Sequence, residues 1–166
     1  MIYLDNAATS LPKPKTVEQA VIASLRNHAG YNRGGHTSAM QSAELVFACR
    51  QAAADFFHLP GPEYVIFCQN ATHALNIAIL GLLPEKGRIV ISGYEHNSVL
   101  RPVAQHKDGF TAVKTPLFDT GAMLLGFENE LKKGDVGLVV CTMVSNVFGF
   151  VLPAEEIGAL CQTYDI

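Results

Sequence analysis

Short apolar runs alternate along this chain with longer segments in which apolar side chains recur every three or four residues. The short runs predict buried strands, and the longer segments predict helices. The predicted strands cover residues 64–68, 88–92, 111–116 and 136–143. Capping-box signatures at Thr16 and Ser38 predict two helices that end at Gly30 and near His58. Further helices are predicted over residues 71–83, 97–106, 128–133 and 154–164.

This alternation of strands and helices is typical of β-α-β units, whose strands pair in parallel. It predicts an α/β fold of three layers, with a mostly parallel sheet flanked by helices on both faces. The chain has 166 residues, of which 49% are hydrophobic and 16% charged. That composition and length predict one compact globular domain that spans residues 1–166.

The composition argues against several classes of partner. The net charge is −3 and no cluster of Lys and Arg is present, so we expect no nucleic-acid partner. The first residues lack the features of a signal peptide, and no apolar run approaches the length of a membrane span. We therefore expect a cytoplasmic protein without membrane contact. No C-x-x-C pair occurs, so we expect buried, reduced thiols and no metal site from the four cysteines, Cys49, Cys68, Cys141 and Cys161.

The junction between the strand at 64–68 and the helix at 71–83 interrupts a long apolar segment with polar residues. Asn70, Thr72 and His73 stand where the helix begins. The start of a helix carries free backbone N–H groups and positive dipole charge, which suits a phosphate group. Asn70 could instead merely cap the helix with its side chain, which is the commoner explanation for such a residue. At this point both interpretations stand.

Two further loops carry polar residues directly after an apolar strand. The loop after Ser92 reads GYEHNSVLRP, and the loop after Met143 reads VSNVFGFVLP. Because ligands of parallel sheets bind at the carboxyl ends of the strands, we expect these loops and the Asn70 junction to face one crevice. His96 in the second loop could be a titrating group or an ordinary loop histidine, and Asn146 in the third could be a ligand contact or a turn residue before Gly149.

Five segments carry a resemblance to a known family. They are IYLDNAATS (2–10), NRGGHTSA (32–39), NATHALN (70–76), YEHNSVLRP (94–102) and VSNVFGFVLP (144–153). In this order and spacing they resemble the N-terminal part of the cysteine desulfurase and selenocysteine lyase group of class V aminotransferase-like enzymes, which use pyridoxal 5′-phosphate (PLP). The resemblance implies the large domain of a fold type I PLP enzyme, incomplete here, and a homodimer.

The resemblance assigns roles to particular residues. It places Ala71 and Thr72 at the cofactor phosphate, and His96 on the cofactor ring as the group that moves protons. It places Asn146 beside the ring oxygen and the substrate carboxylate. The family usually has Gly where this chain has Asn70, and Glu where it has His73.

The same resemblance brings a second group of residues near the substrate mouth or the dimer partner. Asn6 and His36 are the implied substrate contacts, with Asp5 and Arg33 beside them. A turn at DNAAT and a helix lead-in at RGGHTS would explain these residues equally well.

The resemblance also implies what this chain lacks. The lysine that carries the cofactor and the aspartate that pairs with the pyridine nitrogen follow in the family beyond the stretch matched here, and no lysine of this chain fits that motif. We therefore expect a fragment that is inactive alone, from an enzyme that removes sulfur from cysteine, selenocysteine or cysteine sulfinate and passes it to a possible acceptor protein. The alternative is a non-catalytic remnant that binds phosphate or dimerises. A Rossmann-type nucleotide site is disfavoured because no glycine-rich phosphate motif is present.

Overall fold

The computed structural model of the protein describes residues 2–31 and 33–166. The chain divides into two compact units, Met1–Phe67 and Cys68–Ile166. The first unit contains helix α1 (Lys15–Asn27), helix α2 (Thr37–Phe56) and a 3₁₀ turn at Pro62–Tyr64. Ser42 connects α2 to the segment that follows α1, because its buried hydroxyl donates to the carbonyl of Ala29 at 2.8 Å.

Both helices of the first unit begin before the predicted capping residues. The carbonyl of Pro14 accepts the N–H of Val17 at 3.0 Å, so α1 already contains Thr16. The carbonyl of His36 accepts the N–H of Ala39 at 3.0 Å, so α2 already contains Ser38. Neither helix has a side-chain cap. The capping-box predictions were therefore wrong, although both helices exist.

The strand predicted at 64–68 does not form. Pro62 begins a 3₁₀ turn, in which the N–H of Val65 donates to the Pro62 carbonyl at 3.1 Å. The backbone of Val65 is extended, but residues 65–68 have no ladder partner among the described residues. Ile66 is 77% exposed. An extended segment without a neighbouring strand has no ladder hydrogen bonds, so the apolar pattern alone does not make a strand here.

The second unit contains a three-stranded parallel sheet with the strand order β2-β1-β3. Its strands are β1 (Arg88–Ser92), β2 (Phe110–Val113) and β3 (Val136–Val140). Its helices are α3 (Ala71–Gly81), α4 (Asn97–Val103), α5 (Thr120–Leu131) and α6 (Ala154–Thr163). The predicted parallel sheet with flanking helices is confirmed.

Helices cover both faces of this sheet. On one face Ile89 and Ile91 of β1 pack with residues of α3 and α4, including Ile79 and Val103. On the other face Val90 packs with residues of α5 and α6 and of the loop between β3 and α6, namely Met123, Phe127, Phe150, Leu152 and Ile157. Neighbouring residues of a strand point to opposite faces, and burial on both faces explains why β1 is a continuous apolar run.

Helix α5 begins eight residues before the predicted start at 128. The side chain of Asp119 caps it by accepting the N–H of Ala122 at 2.8 Å. Two glycines, Gly121 and Gly126, weakened the helical pattern in the sequence. Gly126 has a packing reason, because a Cβ there would lie 2.5 Å from a methyl carbon of Val113 in β2. Glycine lets this helix approach the sheet closely.

The amino end of the sheet carries a network of ion pairs. Arg88, whose side chain is 13% exposed, lies 2.9 Å from both Asp135 and Glu130, and Lys133 lies 2.7 Å from Glu130. The hydrogen bond from Arg88 lowers the pKa of Asp135, and the hydrogen bond from Lys133 lowers the pKa of Glu130. Both carboxylates are therefore better stabilised as ions here than in water.

Candidate active site at the carboxyl end of the sheet

The start of α3 combines a capped turn with two free donors. Asn70 accepts the N–H of His73 through its side-chain oxygen at 2.9 Å, and its backbone carbonyl accepts the N–H of Ala74 at 3.1 Å. Among the described residues, the N–H groups of Ala71 and Thr72 have no acceptor. The cap uses the N–H groups of His73 and Ala74, and the N–H groups of Ala71 and Thr72, which the resemblance assigns to phosphate, remain free to donate.

Asn70 does not occupy a conformation that would require glycine. Its φ is −166° and its ψ is 173°, which is extended backbone open to any residue. Asn in the place where the family usually has Gly therefore carries no steric cost in this chain. His73 contributes its backbone N–H to the cap.

His96 follows β1 and stands at the N-cap of α4. Its Nδ1 accepts the backbone N–H of Ser98 at 3.1 Å and lies 2.9 Å from the Ser98 hydroxyl. A nitrogen that accepts a hydrogen bond from an amide carries no proton, so the neutral ring has its proton on Nε2. The imidazole is exposed and its orientation is fixed from the Nδ1 side. This arrangement leaves Nε2 as the atom that can exchange a proton.

Asn146 stands in a tight hairpin after β3. The N–H of Ser145 donates to Phe150 at 2.9 Å, and the N–H of Gly149 donates to Ser145 at 2.8 Å. Gly149 has a φ of +65°, a left-handed conformation that favours glycine. The turn predicted before Gly149 is confirmed, and it presents Asn146 on an exposed loop.

His96 belongs to two adjacent pockets of the second unit. It shares a pocket of about 490 Å³ with Thr72, Asn76 and Arg101. It shares a smaller pocket of about 210 Å³ with Asn146. Thr72 and Asn146 each line a pocket with His96, so the structure brings the three predicted loops together at the carboxyl end of the sheet.

Glu95 is a residue of this region that the sequence reasoning missed. Its Oε1 accepts the N–H of Thr142 at 2.7 Å and the hydroxyl of Ser92. Burial raises the pKa of Glu95, against the lowering effect of these hydrogen bonds. The available signal was a carboxylate directly before His96, in a loop that follows an apolar strand. A single acidic residue in a loop is usually solvated, so this signal alone does not indicate a site.

The remaining predicted substrate residues lie in the first unit. Asp5 and Asn6 belong to a turn in which the Asp5 carbonyl accepts the N–H of Ala8 at 3.2 Å. His36 immediately precedes α2, and Arg33 lies in the lead-in to that helix. All four are exposed. The turn and the helix lead-in are thus confirmed, and the substrate role of Asn6 and His36 stays a prediction.

The cysteines are free thiols, but the prediction that they are buried was wrong, because none of the four is fully buried. Cys49 in α2 is exposed, and Cys68, Cys141 and Cys161 are half-buried. Burial raises the pKa of Cys141 to about 12, so its thiol is protonated and a poor nucleophile at neutral pH. Within residues 2–31 and 33–166, no three His, Cys, Asp or Glu side chains are grouped as a metal site would require. No described helix is long and apolar enough to span a membrane.

The family described as Aminotransferase class-V matches residues 2–166. The chain belongs to this family. It is 33% identical over 98% of its length to a probable cysteine desulfurase of Pyrococcus abyssi, and 32% identical over 96% to one of Streptomyces coelicolor. It covers 41% and 42% of those two proteins, so it spans less than half the length of the curated relatives that it matches.

A solved structure supports the same relationship. The apo structure of a cysteine desulfurase from Thermococcus onnurineus NA1 superposes with a TM-score of 0.85 at 28% identity. The match covers 99% of this chain and 42% of that one. The class V chain described here therefore has the fold of the corresponding stretch of a cysteine desulfurase.

Proposed function

We propose that this chain is part of a PLP-dependent enzyme that removes sulfur from L-cysteine or a related amino acid and leaves alanine. The observation that carries the proposal is the pair of free N–H groups at Ala71 and Thr72, beside a pocket that Thr72 and His96 line together. Two findings support the reaction: membership of the class V family, and 33% sequence identity to a probable cysteine desulfurase.

The residues at this edge of the sheet fit the chemical groups of PLP. A phosphate matches the free amides and the Thr72 hydroxyl at the positive end of α3. The flat imidazole of His96 suits contact with a planar ring, and its orientation is fixed through Ser98. The amide of Asn146 can donate to a ring oxygen and to a substrate carboxylate without adding charge. The cofactor would supply the electron sink for breaking bonds at the substrate carbon.

The protein's part in the reaction is to orient the ligand and to move a proton. Because Nδ1 of His96 is engaged by Ser98, proton transfer would use Nε2. Asn6 and His36 would contact the amino-acid substrate. We further propose that the active enzyme is a homodimer and that a separate protein accepts the sulfur.

We also propose that the chain alone does not catalyse the reaction. No lysine lines either of the two pockets that contain His96. Lys132 and Lys133, for example, are engaged with Glu128 and Glu130 on the surface. The 166-residue chain would then bind the phosphate end of PLP without forming a bond to it, which is also the behaviour expected of a non-catalytic phosphate-binding remnant.

The test separates phosphate recognition from covalent attachment. Titration with pyridoxamine 5′-phosphate and with pyridoxamine should show binding of the phosphate ester only. Thr72→Val should weaken that binding about tenfold, since it removes a hydrogen bond to a charged group. Thr120→Val is the matched control, because Thr120 stands in the first turn of α5, which is also capped.

Covalent attachment is measured by adding PLP and borohydride and taking an intact mass. The expected result is no adduct. A stoichiometric adduct on one lysine would contradict the proposal that the chain lacks an attachment site. Equal affinity for the two amines, or equal effects of the two threonine variants, would contradict the phosphate site at α3.

A further inference from the structure

We propose that Glu95 is a positioning residue that ties the carboxyl ends of β1 and β3 together and so fixes His96 relative to Asn146. The effect of Glu95 on ligand binding rests on the proposed function. Its effect on the positions of the two loops does not, because that effect depends only on hydrogen bonds within the chain.

The bridge lies just beyond the last paired residues of the two strands. The ladder between β1 and β3 ends at the pair Ile91 and Val140. Past that point, Oε1 of Glu95 accepts the N–H of Thr142 at 2.7 Å and the hydroxyl of Ser92. One carboxylate oxygen therefore continues the connection between the strands where backbone pairing has stopped.

Asn146 is coupled to this bridge through a short, hydrogen-bonded hairpin. The hairpin starts directly after Thr142, where the carbonyl of Met143 accepts the N–H of Leu152 at 2.9 Å. Val144 and Val151 form an antiparallel bridge, and the Ser145 backbone closes the loop. A displacement at Thr142 would therefore carry Asn146 with it.

His96 is coupled to the other side of the bridge. It is the next residue after Glu95, and its ring is held by the backbone N–H and the hydroxyl of Ser98. Glu95, His96 and Asn146 line one pocket of about 210 Å³. The Glu95 carboxylate therefore links the segment that carries the imidazole to the segment that carries the amide, beyond the end of the ladder.

A purely stabilising role does not explain this carboxylate. Burial raises the pKa of Glu95, and no cation lies within ion-pair distance of it among the described residues. The nearby Cys141 is a further acidic group, and its pKa is raised in part by the charge on Glu95. Partial burial of a carboxylate without a cation disfavours its charged form, and groups perturbed in this way are typical of sites that serve binding or catalysis.

The first test measures the bridge without any ligand. In wild-type chain, Glu95→Ala and Glu95→Gln, amide hydrogen exchange is followed by NMR. Glu95→Ala should speed exchange at Thr142, Ser145 and Gly149 about tenfold, which corresponds to one lost hydrogen bond. Glu95→Gln keeps an acceptor oxygen and should stay within about threefold of wild type. Exchange at Ile91, inside the ladder, should not change.

The matched control is Asp108→Ala. Asp108 also accepts a backbone N–H, from Gly87 at 3.1 Å, but between loops at the amino end of the sheet. It should leave exchange at Thr142 unchanged. Unchanged exchange in Glu95→Ala, or equal acceleration in both alanine variants, would overturn the inference. If Glu95→Ala does not fold, Ser92→Ala removes the other donor to Glu95 and should speed exchange at Thr142 and Ser145.

The second test measures what the bridge does for a ligand. Affinity for pyridoxamine 5′-phosphate should fall about tenfold in Glu95→Ala, recover to within about threefold in Glu95→Gln, and stay at the wild-type value in Asp108→Ala. No binding to the wild-type chain would refute the proposed function, while the exchange data would still decide whether Glu95 positions the two loops. Faster exchange with unchanged affinity would overturn the claim that the bridge matters for the ligand.

Discussion

The two ends of the parallel sheet hold their carboxylates in opposite ways. At the amino end, Asp135 and Glu130 surround Arg88 and have lowered pKa values. At the carboxyl end, Glu95 has only a hydroxyl and a backbone N–H as partners, and burial raises its pKa. The same sheet thus stabilises ionised carboxylates at one end and disfavours one at the other.

The difference indicates that the amino end of the sheet contributes to stability and that the carboxyl end carries the candidate site. The amino end closes the sheet with charge pairs that favour the folded state. At the carboxyl end, desolvation of the Glu95 carboxylate lowers the stability of the folded state. The imidazole of His96 and the amide of Asn146 are exposed at the same end. Parallel sheets generally place their ligand sites at the carboxyl end, and the charge distribution here follows that rule.

The largest expected effect comes from removing the central cation at the amino end. Arg88→Met leaves two carboxylates without their shared partner and should lower the free energy of unfolding by about 1–3 kcal/mol. Urea denaturation followed by circular dichroism measures this. Lys132→Met is the control, since the ion pair of the exposed Lys132 with Glu128 is screened by solvent and its loss should have a much smaller effect. Equal losses in the two variants would contradict a special role for Arg88.

An intermediate effect should follow from removing a helix cap. Asn70→Ala and Asp119→Ala each remove a side-chain acceptor at the start of a helix, and each should cost about 1 kcal/mol of unfolding free energy. Only Asn70→Ala should also weaken binding of pyridoxamine 5′-phosphate, because only α3 borders the pocket with Thr72. Thermal unfolding and a binding titration separate the two. A similar loss of affinity in both variants would indicate a global effect.

The smallest expected effect is a difference in how the melting temperature depends on pH for variants at the two ends of the sheet. A carboxyl group whose pKa is raised by folding contributes stability that is present below its ordinary value of 4.5 and is lost as the pH rises through the folded value. Glu95→Gln should therefore melt slightly above wild type at pH 7, and the difference should vanish as the pH falls below about 4.5.

The amino end should show the opposite sign. The lowered pKa values of Asp135 and Glu130 mean that their contribution is present above their ordinary values of 3.8 and 4.5 and is lost on further acidification. Glu130→Gln should therefore melt below wild type at pH 7, and the gap should narrow in acid. Thermal melts between pH 3 and pH 7 provide the measurement. A lower melting temperature for Glu95→Gln at pH 7 would contradict the comparison.

The apolar pattern of the sequence predicted those elements of the fold in which each face has the same surroundings along its whole length. β1 is apolar along its length because both of its faces are covered, and its predicted bounds agree with the structure. The segment at 64–68 has a similar pattern but lacks a partner strand, which a local pattern cannot reveal. The early start of α5 was hidden by Gly126, whose reason is the close approach to Val113.

Residues of the candidate site were predictable where their place beside the start of a helix could be recognised from the local sequence. Thr72 and His96 each stand directly beside the start of a helix, so the sequence pattern placed them near one edge of the sheet. Glu95 was not predictable in this way, because its partner Thr142 is 47 residues away. A bond of that kind depends on which strands are neighbours, and the sequence pattern does not specify the strand order.

The cap at Asn70 has a consequence for the kinetics and entropy of ligand capture. Because the side chain secures the first turn of α3, that turn is formed before any ligand arrives. The two remaining amides then point outward as a fixed pair, and the entropy of ordering them has been lost during folding rather than during binding. An anion that reaches this helix meets a rigid receptor, so its association need not wait for the chain to rearrange.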